Sequence, residues 1–196
     1  KASIFDVPII STNSKYLKQV KQHLKRHKIK KFKIVLEPIK RNTAAAILST
    51  ALIKDIPNDQ PLIFLAADHL IEKVGLFNKA IKKNQNKLTQ NNIFIFGIKP
   101  TTPSSEFGYF LTRNVKGNYK VSRFLEKPKE AKAKQIITKK GYWNSGMFYL
   151  RKDSIINNFK KYQPNIYKNC NKAVMKAKYK SNVYYLNKQA FTKVTS

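Results

Sequence analysis

One stretch constrains the chain most: Leu62-Ile63-Phe64-Leu65-Ala66-Ala67-Asp68-His69-Leu70-Ile71. It is apolar at successive positions for the length of a strand, bounded by Pro61 and closed by a single carboxylate. Such a run suits a strand covered on both faces, as in a parallel sheet. In sheets of that kind ligands bind beyond the carboxyl ends of the strands, where Asp68 would stand. The small side chains of Ala66 and Ala67 would let a ligand approach the backbone. Taken alone, Asp68-His69 reads as a solvated turn, and only its neighbours give it more weight.

The first hundred residues alternate strand and helix. Residues 4–10, 32–36, 62–65 and 93–98 read as strands from their β-branched and aromatic content. Between them, Tyr16, Leu17, Val20 and Leu24 recur at helical spacing, with Ser11-Thr12-Asn13-Ser14 as the preceding turn and cap. A second helix begins in alanines after Asn42 or Thr43 and runs to about residue 54, and a third opens at Gly75. This rhythm predicts a parallel α/β sheet with right-handed crossovers. Beyond residue 100 the pattern changes. Two strands, 108–112 and 119–125, flank a Gly117-Asn118 turn, and a short helix covers 131–138. An apolar strand over 142–150 is interrupted by Asn144-Ser145-Gly146. Residues 154–179 read as helix broken near Pro164, and 183–196 carry no clear end signal.

The chain has 196 residues, 42% of them hydrophobic, enough for one domain with a sizeable core. No apolar run is long enough to span a membrane, and no charged-then-apolar leader is visible. The single cysteine, Cys170, excludes an internal disulfide framework and fits a reducing compartment, so cytoplasm is the expected location. Net charge is the outlier, with 40 Lys and Arg against 10 Asp and Glu, formally +30. A balance of that kind attracts polyanions whatever the fold. The lysines are spread over predicted helix faces, however, and arginine, the better reader of bases, is sparse. The charge therefore reads as solvated faces, with a polyanion- or nucleic-acid-binding module as the alternative.

Polar groups stand where loops leave the predicted strand ends. They are Glu37-Pro38-Ile39-Lys40-Arg41-Asn42-Thr43, Ala67-Asp68-His69, Phe107-Gly108-Tyr109, Glu126-Lys127-Pro128 and Trp143-Asn144-Ser145-Gly146. Singly, each is ordinary: a surface charge, a helix cap, an exposed pair, a turn. Together and in this order they resemble the mannose-1-phosphate guanylyltransferases, within the sugar-phosphate nucleotidyltransferases. The family run "EPxxRNTAPAI" stands here as residues 37–47, with Ala45 in place of proline. Its "LPADH" is residues 65–69, with Ala66 in place of proline. "GIxPTxPETGYGYI" corresponds to residues 97–110, with Ser104, Glu106 and Phe107 departing. "FxEKP" is residues 124–128 unchanged, and "YLWNSGMF" is matched one residue shorter by 142–148.

The resemblance implies a Rossmann-like mixed, mostly parallel sheet flanked by helices, forming one partial nucleotidyltransferase domain over residues 1–196. It implies that GTP and mannose 1-phosphate give GDP-mannose and pyrophosphate. Asp68 would hold a magnesium ion, a hard cation that prefers oxygen. Glu37, Arg41 and Asn42 would lie along the base and ribose. Gly108 would admit the sugar close to the backbone, with Tyr109 beside it. Glu126 and Asn144 would bond sugar hydroxyls, and Lys127 would meet the sugar phosphate as a point charge.

Two parts of the family pattern have no counterpart in these residues. One is the glycine-rich "GGxGTRLWP" loop, whose backbone N–H groups cradle the triphosphate. The other is a later acidic metal ligand, beyond the "SIDYAVME" motif that residues 191–196 approach. The expectation is therefore a chain truncated at both ends with weak or no activity alone, or one completed by a separate polypeptide carrying the loop.

Overall fold

The structure is a computed structural model that describes residues 4–195. In chain order the strands are β1 (Ile9–Asn13), β2 (Lys33–Glu37), β3 (Pro61–Phe64), β4 (Ile93–Ile98), β5 (Tyr109–Val115), β6 (Asn118–Leu125), β7 (Tyr142–Arg151), β8 (Lys178–Lys180) and β9 (Val183–Tyr185). The helices are α1 (Leu17–Arg26), α2 (Thr43–Ala51), α3 (Val74–Gln85), α4 (Glu130–Thr138), α5 (Lys152–Tyr162), α6 (Pro164–Met175) and α7 (Lys188–Phe191). The chain divides into two compact units. Of the described residues the first comprises 4–62, Ile71–Asn92 and 150–195, and the second Ile63–Leu70 and Ile93–Tyr149.

The first unit is built on a four-stranded sheet of order β1-β2-β9-β8. β2 runs parallel to both β1 and β9, while β8 closes an antiparallel hairpin with β9. Its core follows from the alternation of side chains along a strand. Ile34 and Leu36 pack with Val183 beneath Leu24 and the Leu17 and Val20 stripe of α1. Val35 points the other way, into a cluster with Ala45, Leu48, Cys170, Ala173 and Phe191 from α2, α6 and α7. Pro164 stands at the start of α6, where its missing N–H costs nothing, so the expected break falls there.

The second unit carries the other sheet, of order β3-β7-β5-β6, with β4 also paired to β7. β5 is antiparallel to both β6 and β7. The β5–β6 hairpin turns at Lys116-Gly117, one residue earlier than the sequence indicates. Both residues sit at positive φ (51° and 77°), as a two-residue hairpin turn demands. α4 packs Ala133 and Ile136 against buried Tyr109 and half-buried Trp143.

The mixed α/β class is present, with helices against sheets, but several elements differ from the sequence reading. The strand expected at 4–10 forms at Ile9–Asn13, because its register to β2 runs from Ile9↔Lys33 to Asn13↔Glu37. Ser11, Thr12 and Asn13 are thus strand residues. Asn13 still caps, its Oδ1 accepting from Lys15 N at the head of a short 3-10 turn, Ser14–Tyr16. β3 pairs with β7 and does not join β2. The place beside β2 belongs to β9, a strand the sequence reading missed. Asn144-Ser145-Gly146 does not break β7, since Gly146 takes φ +71° and the strand continues.

A buried lysine fixes the loop that leaves α2. Lys152, the first residue of α5, donates from Nζ to the carbonyls of Ile56 at 2.6 Å and Ile53 at 3.0 Å. Burial pushes its ammonium pKa down, yet those carbonyls satisfy two of its protons. Lys152→Ala would strand both acceptors, and we expect a loss of about 2–4 kcal/mol in urea unfolding. Unchanged stability would show that the loop does not depend on this contact.

Candidate functional site

In the first unit the candidate residues line the exit from β2. Glu37 is the last residue of that strand and is buried, because β2 lies under helices on both faces. Ser11 on β1 donates from Oγ to its Oε1 at 3.1 Å. Burial pushes the Glu37 carboxyl above its ordinary range, and the Ser11 hydroxyl offsets part of that rise. Four residues on, the Arg41 guanidinium is tied to the C-terminal end of α7. Nη2 donates to the Thr192 carbonyl at 2.7 Å and Nη1 to the Lys40 carbonyl at 3.3 Å. Asn42 occupies the N-cap of α2, one of the two positions the sequence left open, and Thr43 is the first helical residue. Its carbonyl accepts from Ala45 N, but its side chain makes no capping bond and is left exposed.

In the second unit, strand register builds the site. Tyr109 on β5 pairs with Leu125 on β6 and with Trp143 on β7. One step along each strand therefore lie Gly108, Glu126 and Asn144, side by side at the edge of the sheet. Asn144 N donates to the Gly108 carbonyl at 2.7 Å. A Cβ added at Gly108 would stand 2.9 Å from Glu126 Oε2, 3.1 Å from Phe124 Cζ and 3.6 Å from Asn144 Cβ. Glycine is thus what keeps the space between the carboxylate and the amide open. The Asn144 Oδ1 accepts from Gly146 N at 3.2 Å, which orients the amide.

Tyr109 faces away from that opening. It is fully buried, and its hydroxyl accepts from Ser104 N at 2.9 Å and donates to Ser104 O at 3.0 Å. Its place is to anchor the loop before β5. Lys127 follows Glu126 at φ +41°, a left-handed conformation that glycine adopts without the steric cost lysine incurs. Pro128 comes next. Asp68 lies in the turn after β3, its side chain 89% exposed, with Oδ1 4.0 Å from His69 Nε2. Among the described residues no group of three or more His, Cys, Asp and Glu side chains could hold a metal ion. A lone exposed carboxylate fits a cation that keeps its waters and takes its other ligands from substrate oxygens, which is magnesium's habit.

The structure thus brings Gly108, Glu126 and Asn144 together and sets Glu37, Arg41 and Asn42 along the short link from β2 to α2. Sequence reasoning gave no role to two neighbours. Phe107 and Trp143 pack as a tilted ring pair with centroids 4.9 Å apart beside Gly108, and both lie inside the motifs that carried the resemblance. Ser11, the partner of Glu37, left no signal, since a lone serine in a polar stretch looks like a turn.

The raised pKa of Glu37 fixes a pH dependence. The folded chain holds this proton to higher pH than the unfolded chain, whose value is the ordinary 4.5. Between the two values the folded state binds more protons, so stability falls as pH rises through that window. Glu37→Gln should therefore raise the urea midpoint at neutral pH and leave it unchanged below about pH 4. An equal shift at both pH values would contradict the burial argument.

Comparisons with known proteins give the family. Residues 1–190 match the nucleotidyl transferase family. The chain is 36% identical over 173 residues to a mannose-1-phosphate guanylyltransferase of Salmonella typhimurium, covering 85% of this chain and 36% of that protein. A mannose-1-phosphate guanylyltransferase of Klebsiella pneumoniae is 34% identical over 174 residues, with 85% and 37% covered. The chain therefore spans little more than a third of the length of these curated relatives. Among solved structures it is similar to a mannose-6-phosphate isomerase from Helicobacter pylori, with TM-score 0.85 and 29% identity over 96% of this chain and 74% of that one. A mannose-1-phosphate geranyltransferase from Thermus thermophilus shares the fold, with TM-score 0.75 and 22% identity over 95% of this chain and 52% of that one. Sequence, register and comparisons converge on one conclusion: the chain belongs to the nucleotidyl transferase family.

Proposed function

We propose that this chain carries the mannose-1-phosphate guanylyltransferase reaction, joining GTP and mannose 1-phosphate into GDP-mannose and pyrophosphate. The observation that carries the reading is the trio Gly108, Glu126 and Asn144, set side by side by register with Lys127 adjoining. A carboxylate and an oriented amide across a glycine gap suit vicinal hydroxyls of a sugar, and the adjoining ammonium suits its phosphate. Similarity to the guanylyltransferases of Salmonella and Klebsiella supports this choice of substrates.

In the reaction, a phosphate oxygen of the sugar phosphate forms a bond to the α-phosphorus of the nucleotide. The bond from that phosphorus to the bridging oxygen of pyrophosphate breaks, and pyrophosphate leaves with the electron pair. Glu126 and Asn144 would fix the sugar, Lys127 would hold the attacking phosphate, and Glu37, Arg41 and Asn42 would line the base and ribose. Asp68 would hold a magnesium ion, which supplies charge neutralisation on the phosphates. These 196 residues contain no glycine-rich phosphate loop, so turnover by this stretch alone should be slow while substrate binding is retained.

The test is pyrophosphate release from GTP, mannose 1-phosphate and magnesium. We expect slow release that Asp68→Ala lowers by roughly a hundredfold. Release indifferent to Asp68→Ala, or supported equally without mannose 1-phosphate, would overturn the assignment. Lys127→Gly separates fold from function at a second position. Glycine suits φ +41°, so stability should stay within about 1 kcal/mol of the parent while affinity for mannose 1-phosphate drops. Unchanged affinity in that variant would remove Lys127 from the site.

A further inference from the structure

The excess charge is not absorbed by the proposed reaction, and in one place the fold concentrates it. Residues 7–36 contain nine Lys and Arg and no acid. Lys18, Lys21 and Lys25 recur along one side of α1, flanking the Leu17, Val20 and Leu24 stripe that the sheet buries. The helix ends with Lys28 at φ +55° and Ile29 N bonded back to the Leu24 carbonyl, which turns the chain sharply. That turn carries Lys28 and Lys30 round to join Lys21 and Lys25 along an open groove of about 500 Å³.

The hairpin β8–β9 supplies the far edge of this groove through Ser181. Side chains alternate along a strand, and Lys180 pairs with Val183, whose side chain lies in the α1-facing cluster. Lys178 and Lys180 are therefore on the same face as α1. Six ammonium groups thus share one side of the sheet.

Among the described residues, none of these six lysines has a salt bridge. The carboxylates of this unit that form ion pairs are spent elsewhere, Asp55 on Lys33 and Asp153 on Arg151. Helix-dipole stabilisation accounts for Lys25 and Arg26 in the last turn of α1, but not for Lys28, Lys30 or the lysines of β8. An unpaired cluster of like charges is relieved by an extended anion. Among the apolar residues lining the groove, Leu24 is buried and Phe32 partly so, which leaves Ile29 as the exposed one, a small area for insertion into a lipid surface. A patch made mostly of lysines favours phosphate contacts over base reading.

We propose that this groove is a docking surface for the phosphodiester backbone of nucleic acid, bound without sequence preference. It is separate from the nucleotidyl-transfer reading and does not rest on it.

The probe is a labelled single-stranded oligonucleotide of mixed sequence, about 20 nucleotides long, titrated by anisotropy at several salt concentrations. With roughly four phosphates neutralised, log K should fall against log salt with a slope of about −3. Neutralising the groove (Lys21→Gln, Lys25→Gln, Lys28→Gln and Lys30→Gln together) should cost roughly tenfold or more in affinity and flatten that slope. The control neutralises four lysines at and along α3 (Lys73→Gln, Lys79→Gln, Lys82→Gln and Lys83→Gln), which removes the same charge. It should cost less than about threefold. Circular dichroism confirms that both variants are folded. Equal losses in the two variants would show that net charge alone attracts the oligonucleotide, and would overturn the proposal. Competition by polyglutamate as effective as unlabelled oligonucleotide of equal charge would also overturn it, in favour of an acidic protein partner.

Discussion

Burial of β2 on both faces is the constraint on which the first unit depends. Three consecutive residues, Ile34, Val35 and Leu36, are almost wholly removed from water. At about 1.5–3 kcal/mol for each such side chain, they outweigh any single polar contact nearby. Alternation then dictates the layers: Ile34 and Leu36 require α1, and Val35 requires α2, α6 and α7. The next residue in the strand is Glu37, so its carboxyl is drawn below the surface by the burial of its neighbours. Ser11 across the sheet is what makes that tolerable. The chain leaves at Pro38 and starts α2 within a few residues, which sets Arg41 and Asn42 at a helix start.

In the second unit the corresponding constraint is register. The pairing Leu125–Tyr109–Trp143 fixes a row across three strands. The row beyond it holds glycine in the middle and polar groups on either side. A one-residue slip would send each of those side chains to the opposite face. The buried Tyr109 hydroxyl and the packing of Ala133 and Ile136 resist such a slip. A structural tyrosine thus stands next to Gly108, Glu126 and Asn144, and the glycine gap depends on it.

Much of this was legible in the sequence, for identifiable reasons. β4 falls on residues 93–98 as read, and α4 within one residue, because their apolar patterns are unbroken and bounded by clear turns. The proline that splits α5 from α6 acts locally and was equally plain. What failed was non-local or short. β8 and β9 have three residues each and follow a helix without a glycine or proline between. Their turn uses Ser181 and Asn182 at positive φ, a weak signal in a lysine-rich stretch. That β9 and not β3 lies beside β2 is a matter of tertiary pairing, which no local pattern encodes. The candidate residues were found through ordered motifs. Their grouping into Gly108, Glu126 and Asn144 needed the register, and the engagement of Arg41 with Thr192 needed the position of α7.

The central proposal is that Gly108, Glu126, Lys127 and Asn144 bind the sugar phosphate, while residues 37–43 and Asp68 answer to the nucleotide and its magnesium ion. It is tested most directly by titrating the isotope-labelled chain with each substrate in turn and following backbone amide resonances. Mannose 1-phosphate should move Gly108, Glu126, Lys127 and Asn144, and GTP with magnesium should move Glu37, residues 39–43 and Asp68. Shifts confined to other surfaces, or the same residues responding equally to both substrates, would contradict the account.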